Sequence, residues 1–131
     1  RAVLGQAVPF IDKQQPHAES VRLFNENRRA LRALYDVRVE APWLCSCDEA
    51  FLVTRAGFVM DVAEHTRLVE QFVAAAKKRN KRKEDRIRVI VIGSFCEQPP
   101  LGLLRTLERS GCYVIDDDLT LGLEPAATFA A

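Results

Sequence analysis

"RIRVIVIGSFCEQPPLGLLRTLERSGCYVIDDD" runs from Arg86 to Asp118, and how it folds fixes the class of the whole chain. "RIRVIVIG" is rich in β-branched residues and apolar on both faces from Val89 to Ile92, the pattern of a strand buried in a parallel sheet. The "GSFCEQPP" loop follows, Pro100 suits a first helical turn, and Leu101, Leu104 and Leu107 share one face. Gly111 closes the helix, and "CYVI" makes a second strand ending on Asp116, Asp117 and Asp118. Strand, helix and strand at this spacing form a right-handed βαβ crossover.

Working outward, the preceding sequence is helical. Val21, Phe24, Leu31, Leu34 and Tyr35 form one stripe from Pro16 onward, interrupted by Asn25, Asn27 and Arg28, and Pro42 ends that helix near Val39. Ser46 with Glu49 makes a capping box for a short helix through Arg55, closed by Gly57. Asp61 and Glu64 repeat the logic. His65, Leu68, Val69, Phe72, Val73 and Ala76 then form a strong stripe from Val62 to about Lys78, which makes His65 a core histidine. Residues 1–15 show no sustained periodicity.

Two strands cannot cover both faces of their own sheet or supply partners for its edges. The expected architecture is therefore α/β: a helical segment followed by one βαβ unit of a parallel, Rossmann-like sheet, belonging to a larger multi-domain subunit. The first residue is arginine rather than methionine, as expected of a chain that was processed, trimmed or taken from inside a longer product.

Composition excludes several classes. Nineteen basic residues nearly balance 18 acidic ones among 131, for a net charge of +1, so no global field favours nucleic acid or membrane. "KKRNKRKEDRIR" (Lys77–Arg88) holds eight basic residues against two acidic ones, yet no aromatic is interleaved as a stacking platform, and the run reads as a solvated helix end and linker. No apolar run spans a bilayer and no signal peptide opens the chain, so a cytoplasmic setting is expected. Neither GxGxxG nor a GxxxxGK phosphate loop is present.

The chemistry gathers where ligands collect in open parallel sheets, at the carboxyl ends of the strands. Ser94, Cys96, Glu97 and Gln98 lie at one such end, and Asp116, Asp117 and Asp118 at the next. Cys96 can be a nucleophile, a metal or iron–sulfur ligand, or a small apolar filler. Glu97 suits acid–base work or compensation of a helix dipole. The acidic triplet suits magnesium, although alternation lets at most two carboxylates converge, or it is a solvated strand end. Cys45 and Cys47 form a C-x-C pair that cannot close a metal site alone and is read as structural.

"IGSFCEQPPLGLLRTLERSGCYVIDDDLTLG" (Ile92–Gly122) resembles the corresponding passage of benzoyl-CoA reductase subunits, within the wider family of 2-hydroxyacyl-CoA dehydratase D-components. "NENRRALRALY", "EAPW" and "RAGFVMDVAEHTRLVEQF" resemble the helical stretch that precedes it there. The similarity covers about Ser20 to Gly122, and "CEQPPLGLL" followed by "DDD" marks the reductase branch.

The resemblance implies an iron–sulfur subunit that, with a related partner, holds a 4Fe–4S cluster and binds an aromatic acyl-CoA. Low-potential electrons would come from ATP-hydrolysing activator subunits, and the ring would be reduced to a cyclic diene thioester. It places Cys96 and Glu97 as catalytic candidates and Ser94, Cys96, Gln98, Asp117 and Asp118 on the cofactor side. It assigns residues 1–84 to a helical linker region and 85–131 to the truncated start of a second α/β domain. Family members are several times longer, carry cluster cysteines in an earlier domain, continue differently after "LTLG" and lack the pair in "CSCDEA". The isolated chain is accordingly expected to be inactive. The rivals are a 2-hydroxyacyl-CoA dehydratase subunit, with the same cluster but eliminating water, and a small non-catalytic α/β binding module.

Overall fold

A computed structural model describes residues 17–92 and 101–117 of the chain. Helix α1 spans His17–Glu40, followed by a short 3-10 turn at Pro42–Leu44, α2 at Cys47–Ala56 and α3 at Val62–Lys77. Strand β1 (Ile87–Val91), helix α4 (Leu101–Arg109) and strand β2 (Cys112–Asp117) follow. The strands pair in parallel as a two-stranded sheet, so the expected βαβ unit forms, with β1 beginning before Val89 and ending one residue before Ile92.

Two cores result. Ala30, Leu31, Leu34 and Val37 of α1 pack on Val69 and Val73 of α3 together with Cys45 and Ala50, as the periodic stripes dictate. The stripe expected on α1 also included Val21 and Phe24, but both are exposed, and burial on that helix begins at Asn27. The second core joins Cys47, Leu104 and Val114, flanked by Val89, Val91, Leu101 and Leu107. The C-x-C pair thus straddles the boundary. Cys45, in extended backbone just before α2, fills the helical core, and Cys47 in the first turn fills the sheet core.

Only one sheet face is covered by described residues. Val89 and Val91 turn toward Leu104, whereas Ile90 is 58% and Ile92 83% exposed. The strand is apolar on both faces, as its sequence shows, but the described residues supply cover for one.

The helix ends follow local chemistry. The Ser46 backbone donates to Glu49 Oε2 at 3.1 Å, one half of a complete capping box. Asp61 Oδ1 accepts from the Ala63 and Glu64 amides at 2.9 and 3.3 Å. The two closing glycines serve opposite needs. Gly111 has φ +93, the left-handed conformation that glycine adopts without strain, with open space around its Cα. Gly57 is right-handed at φ −63, and what it lacks is room: a Cβ there would lie 2.7 Å from His65 Cε1.

His65 is the core histidine the stripe predicts, 3% exposed. Thr66 gives its hydroxyl proton to the Val62 carbonyl (2.8 Å), so its oxygen accepts from Asn27 Nδ2 (3.0 Å). The same Asn27 nitrogen donates to His65 Nδ1 at 2.9 Å, which leaves Nε2 to donate to the Val53 carbonyl at 2.9 Å. Asn27, which breaks the apolar stripe in sequence, is the polar pin between α1 and α3.

Candidate functional site

Of the residues expected at the strand ends, Ser94, Cys96, Glu97, Gln98 and Asp118 lie outside the described residues. Asp117 is described, and its surroundings bring in an arginine that the sequence does not single out. Arg38 extends from the last turn of α1 with its side chain 4% exposed, and Asp117 is 5% exposed. Arg38 Nη2 donates to Asp117 Oδ2 at 3.2 Å and to the Val114 carbonyl at 3.3 Å, and lies 3.6 Å from Cys47 Sγ. Its Nε is buried without a hydrogen-bond partner among the described residues. Arg38 also stacks over the Tyr35 ring, 5.5 Å from its centroid.

Burial alone disfavours the Arg38 charge, but the Cys47 sulfur and the Asp117 carboxylate outweigh it, so the guanidinium holds its proton above its ordinary range. Burial pushes the Tyr35 hydroxyl up to about 12. It pushes the Cys47 thiol up to about 12 and the Cys45 thiol up to about 11, and Arg38 only partly opposes both shifts. Metal binding and nucleophilic attack need the thiolate. Both cysteines are therefore inert thiols here, in keeping with the structural role expected for them.

A second polar contact line joins α2 to α4. Glu108 Oε1 accepts from the Cys47 amide at 2.9 Å, at the start of α2 where the helix leaves amides unpaired. Burial raises its carboxyl above the ordinary range. Beside it Arg105 donates to Asp48 at 2.8 Å. Burial works against the Asp48 charge, but the Ser46 hydroxyl and Arg105 overcome it and lower its pKa.

The basic run is anchored inside the chain. Arg79 donates to the Leu44 carbonyl at 2.9 Å and to Glu49 at 2.6 Å, Lys83 stands over the Trp43 ring and Arg86 over the Tyr113 ring. The aromatics absent from the run itself arrive from distant sequence. A pocket of about 340 Å³ opens among Trp43, Lys81, Arg82, Arg86 and Glu108. It lies at the amino end of β1, away from Asp117.

Among the described residues no group of three or more histidine, cysteine, aspartate or glutamate side chains can hold a metal ion, and no described helix is long and apolar enough to cross a membrane. Cys45 and Cys47 point into separate cores as buried thiols and do not fit as ligands of an iron–sulfur cluster. Arg38 is hard to find in the sequence because a lone charge at a helix end looks like ordinary dipole compensation. Its one early signal is a position on the same face as Leu31 and Leu34.

Residues 13–130 match the family model of the 2-hydroxyglutaryl-CoA dehydratase, D-component. The chain is 44% identical over 99 residues to a benzoyl-CoA reductase subunit of Thauera aromatica, covering 76% of the chain and 26% of that protein. It is 29% identical over 100 residues to the beta subunit of lactoyl-CoA dehydratase of Anaerotignum propionicum, again covering 76% and 26%. The chain spans about a quarter of the length of these curated relatives.

Proposed function

Because the chain belongs to the 2-hydroxyglutaryl-CoA dehydratase D-component family, we propose that it is a segment of an acyl-CoA-reducing subunit of the benzoyl-CoA reductase type. The observation that carries the reading is the difference between 44% and 29% identity over nearly the same length, which favours the reductase relative over the dehydratase one. In this proposal the subunit works in the cytoplasm with a related iron–sulfur subunit, ATP-hydrolysing activator subunits supply electrons, and an aromatic acyl-CoA is the substrate. The 4Fe–4S cluster of the complex relays those low-potential electrons.

Residues 1–84 serve as the helical linker and 85–131 begin a second α/β domain. Cys96 and Glu97 are assigned the catalytic roles, and Ser94, Cys96, Gln98, Asp117 and Asp118 the cofactor side. Support for that placement is positional: Asp117 closes β2 at its carboxyl end, where parallel sheets gather their ligands. The task of such residues is to orient substrate, exclude water and hold protons at defined atoms.

The test is to express the complete coding region with its partner and activator and offer an aryl-CoA and a 2-hydroxyacyl-CoA in turn. Reduction of the ring supports the reductase reading. Dehydration without ring reduction transfers the assignment to the dehydratase class, which the second relative represents. Replacing Cys96→Ser and Cys96→Ala in the complex should alter iron content, the paramagnetic resonance spectrum or ring reduction; a pair indistinguishable from wild type on all three removes Cys96 from the site.

A further inference from the structure

Asp117 sits where plain alternation would not put it. Val114 faces the inner core with Val89 and Val91, so an uninterrupted strand would next send Asp116 inward and Asp117 outward. The register slips instead. Val89 pairs with Val114, but Ile90 pairs with Asp116 and Val91 with Asp117, leaving Ile115 as the extra residue. A one-residue insertion exchanges the two faces beyond it. Asp117 turns inward onto Arg38, and Asp116 shares the side of the exposed Ile90. Just beyond the slip, Asp116 Oδ1 accepts from the Asp117 amide at 2.9 Å, and no cation pairs with it among the described residues.

We propose that the slip at Ile115 and Arg38 together form a positioning device for the acidic end of β2, sequestering Asp117 and leaving Asp116 as the carboxylate presented to the acyl-thioester site. The proposal rests on the functional reading above for the ligand, and on geometry alone for the device. Arg38 is a positioning residue that acts through Asp117. One terminal nitrogen, Nη2, reaches the Val114 carbonyl and Asp117 carboxylate of β2 and lies against the Cys47 sulfur of α2, while the planar guanidinium lies over the Tyr35 ring; a lysine ammonium lacks the flat face for that stacking. Well-packed apolar residues would hold the same space with comparable stability. What the ion pair contributes is the direction of the strand end.

The decisive experiment uses the full-length subunit in complex with its partner. With Arg38→Met and Asp117→Leu combined, the melting temperature should stay within about 5 °C of wild type while kcat/KM for the acyl thioester falls at least about tenfold. Asp116→Asn should lose at least about tenfold in kcat/KM with an unchanged melting temperature. Either variant keeping kcat/KM within about twofold of wild type overturns the proposal. Should the paired variant not fold, Arg38→Lys decides by hydrogen exchange: amides of 112–117 should exchange at least about tenfold faster with α3 unaffected, and unchanged exchange overturns the device. A wild-type complex inert toward both thioester classes refutes the functional reading, and the exchange measurement still judges Arg38 on its own.

Discussion

Gly57→Ala should destabilise this protein although its backbone welcomes the change. At φ −63, alanine is free of strain and would ordinarily stabilise by about 0.4–1 kcal/mol through the unfolded chain. The added methyl, however, lands 2.7 Å from His65 Cε1 and 2.8 Å from Nδ1. The ring cannot swing away freely, because Asn27 holds Nδ1 and the Val53 carbonyl holds Nε2. Overpacking of this kind costs about 1–3 kcal/mol, and displacing the ring from either buried partner adds about 1–3 kcal/mol more. Taking a single displaced partner, the net expectation is a loss of about 1–5 kcal/mol after the backbone gain is subtracted.

A double-mutant cycle isolates the cause. With His65→Ala already present, the space beside Gly57 is empty and Gly57→Ala should become neutral or stabilising by up to about 1 kcal/mol. Urea unfolding followed by the fluorescence of Trp43, the single tryptophan, measures all four corners. A Gly57→Ala effect of the same sign and size in both backgrounds would refute the steric explanation.

Two further outcomes follow from the perturbed groups. At pH 8, thiols held at about 11 and about 12 are ionised to only about one part in a thousand and one in ten thousand, so iodoacetamide should label the half-exposed Cys112 at least about tenfold faster than Cys45 or Cys47; equal labelling by peptide mass spectrometry contradicts the burial argument. Glu108 has a folded-state pKa above its ordinary 4.5, so its protonated form favours the fold, and that contribution is lost as pH rises from 4.5 through the raised value. Glu108→Gln, which keeps an acceptor for the Cys47 amide, should remove this decline, a difference below about 1 kcal/mol for a half-buried group, seen as converging stability curves at low pH; parallel curves refute it. Asp48 and Glu49 act in the opposite sense in both proteins, since their lowered pKa values stabilise above 3.8 and 4.5 and are lost on acidification.

What the sequence discloses depends on the range of the interaction. The βαβ unit, the Ser46–Glu49 box, the α3 stripe and the left-handed turn at Gly111 all arise from residues a few positions apart, and each is legible. Asn27 reads as an interruption until His65, 38 residues away, supplies its partner. Gly57 reads as a helix terminator, and only the His65 ring shows that it is a spacer. Val21 and Phe24 continue an apolar period, yet periodicity names a face without naming a neighbour. At the strand ends the types of residue are legible but not their directions, because a single extra residue at Ile115 reverses inside and outside and leaves no mark in composition.

The proposed boundary near residue 84 is bridged by these long-range contacts. Arg38 holds Asp117 and Val114, Asp48 holds Arg105, the Cys47 amide is capped by Glu108, and Cys47 itself packs on Leu104 and Val114. A two-stranded parallel sheet is marginal by itself, and among the described residues its covered face and the aim of its acidic end are set by helices that precede it in sequence. The polar contacts sit at opposite places, Arg38 at the carboxyl end of β2 and Glu108 near the carboxyl end of α4. Together they resist both tilting and sliding of the βαβ unit over α1 and α2. Cutting the chain between these parts would therefore free the strand end that the proposed chemistry needs held still, and on that proposal the helical region is a wall of the site as much as a connector.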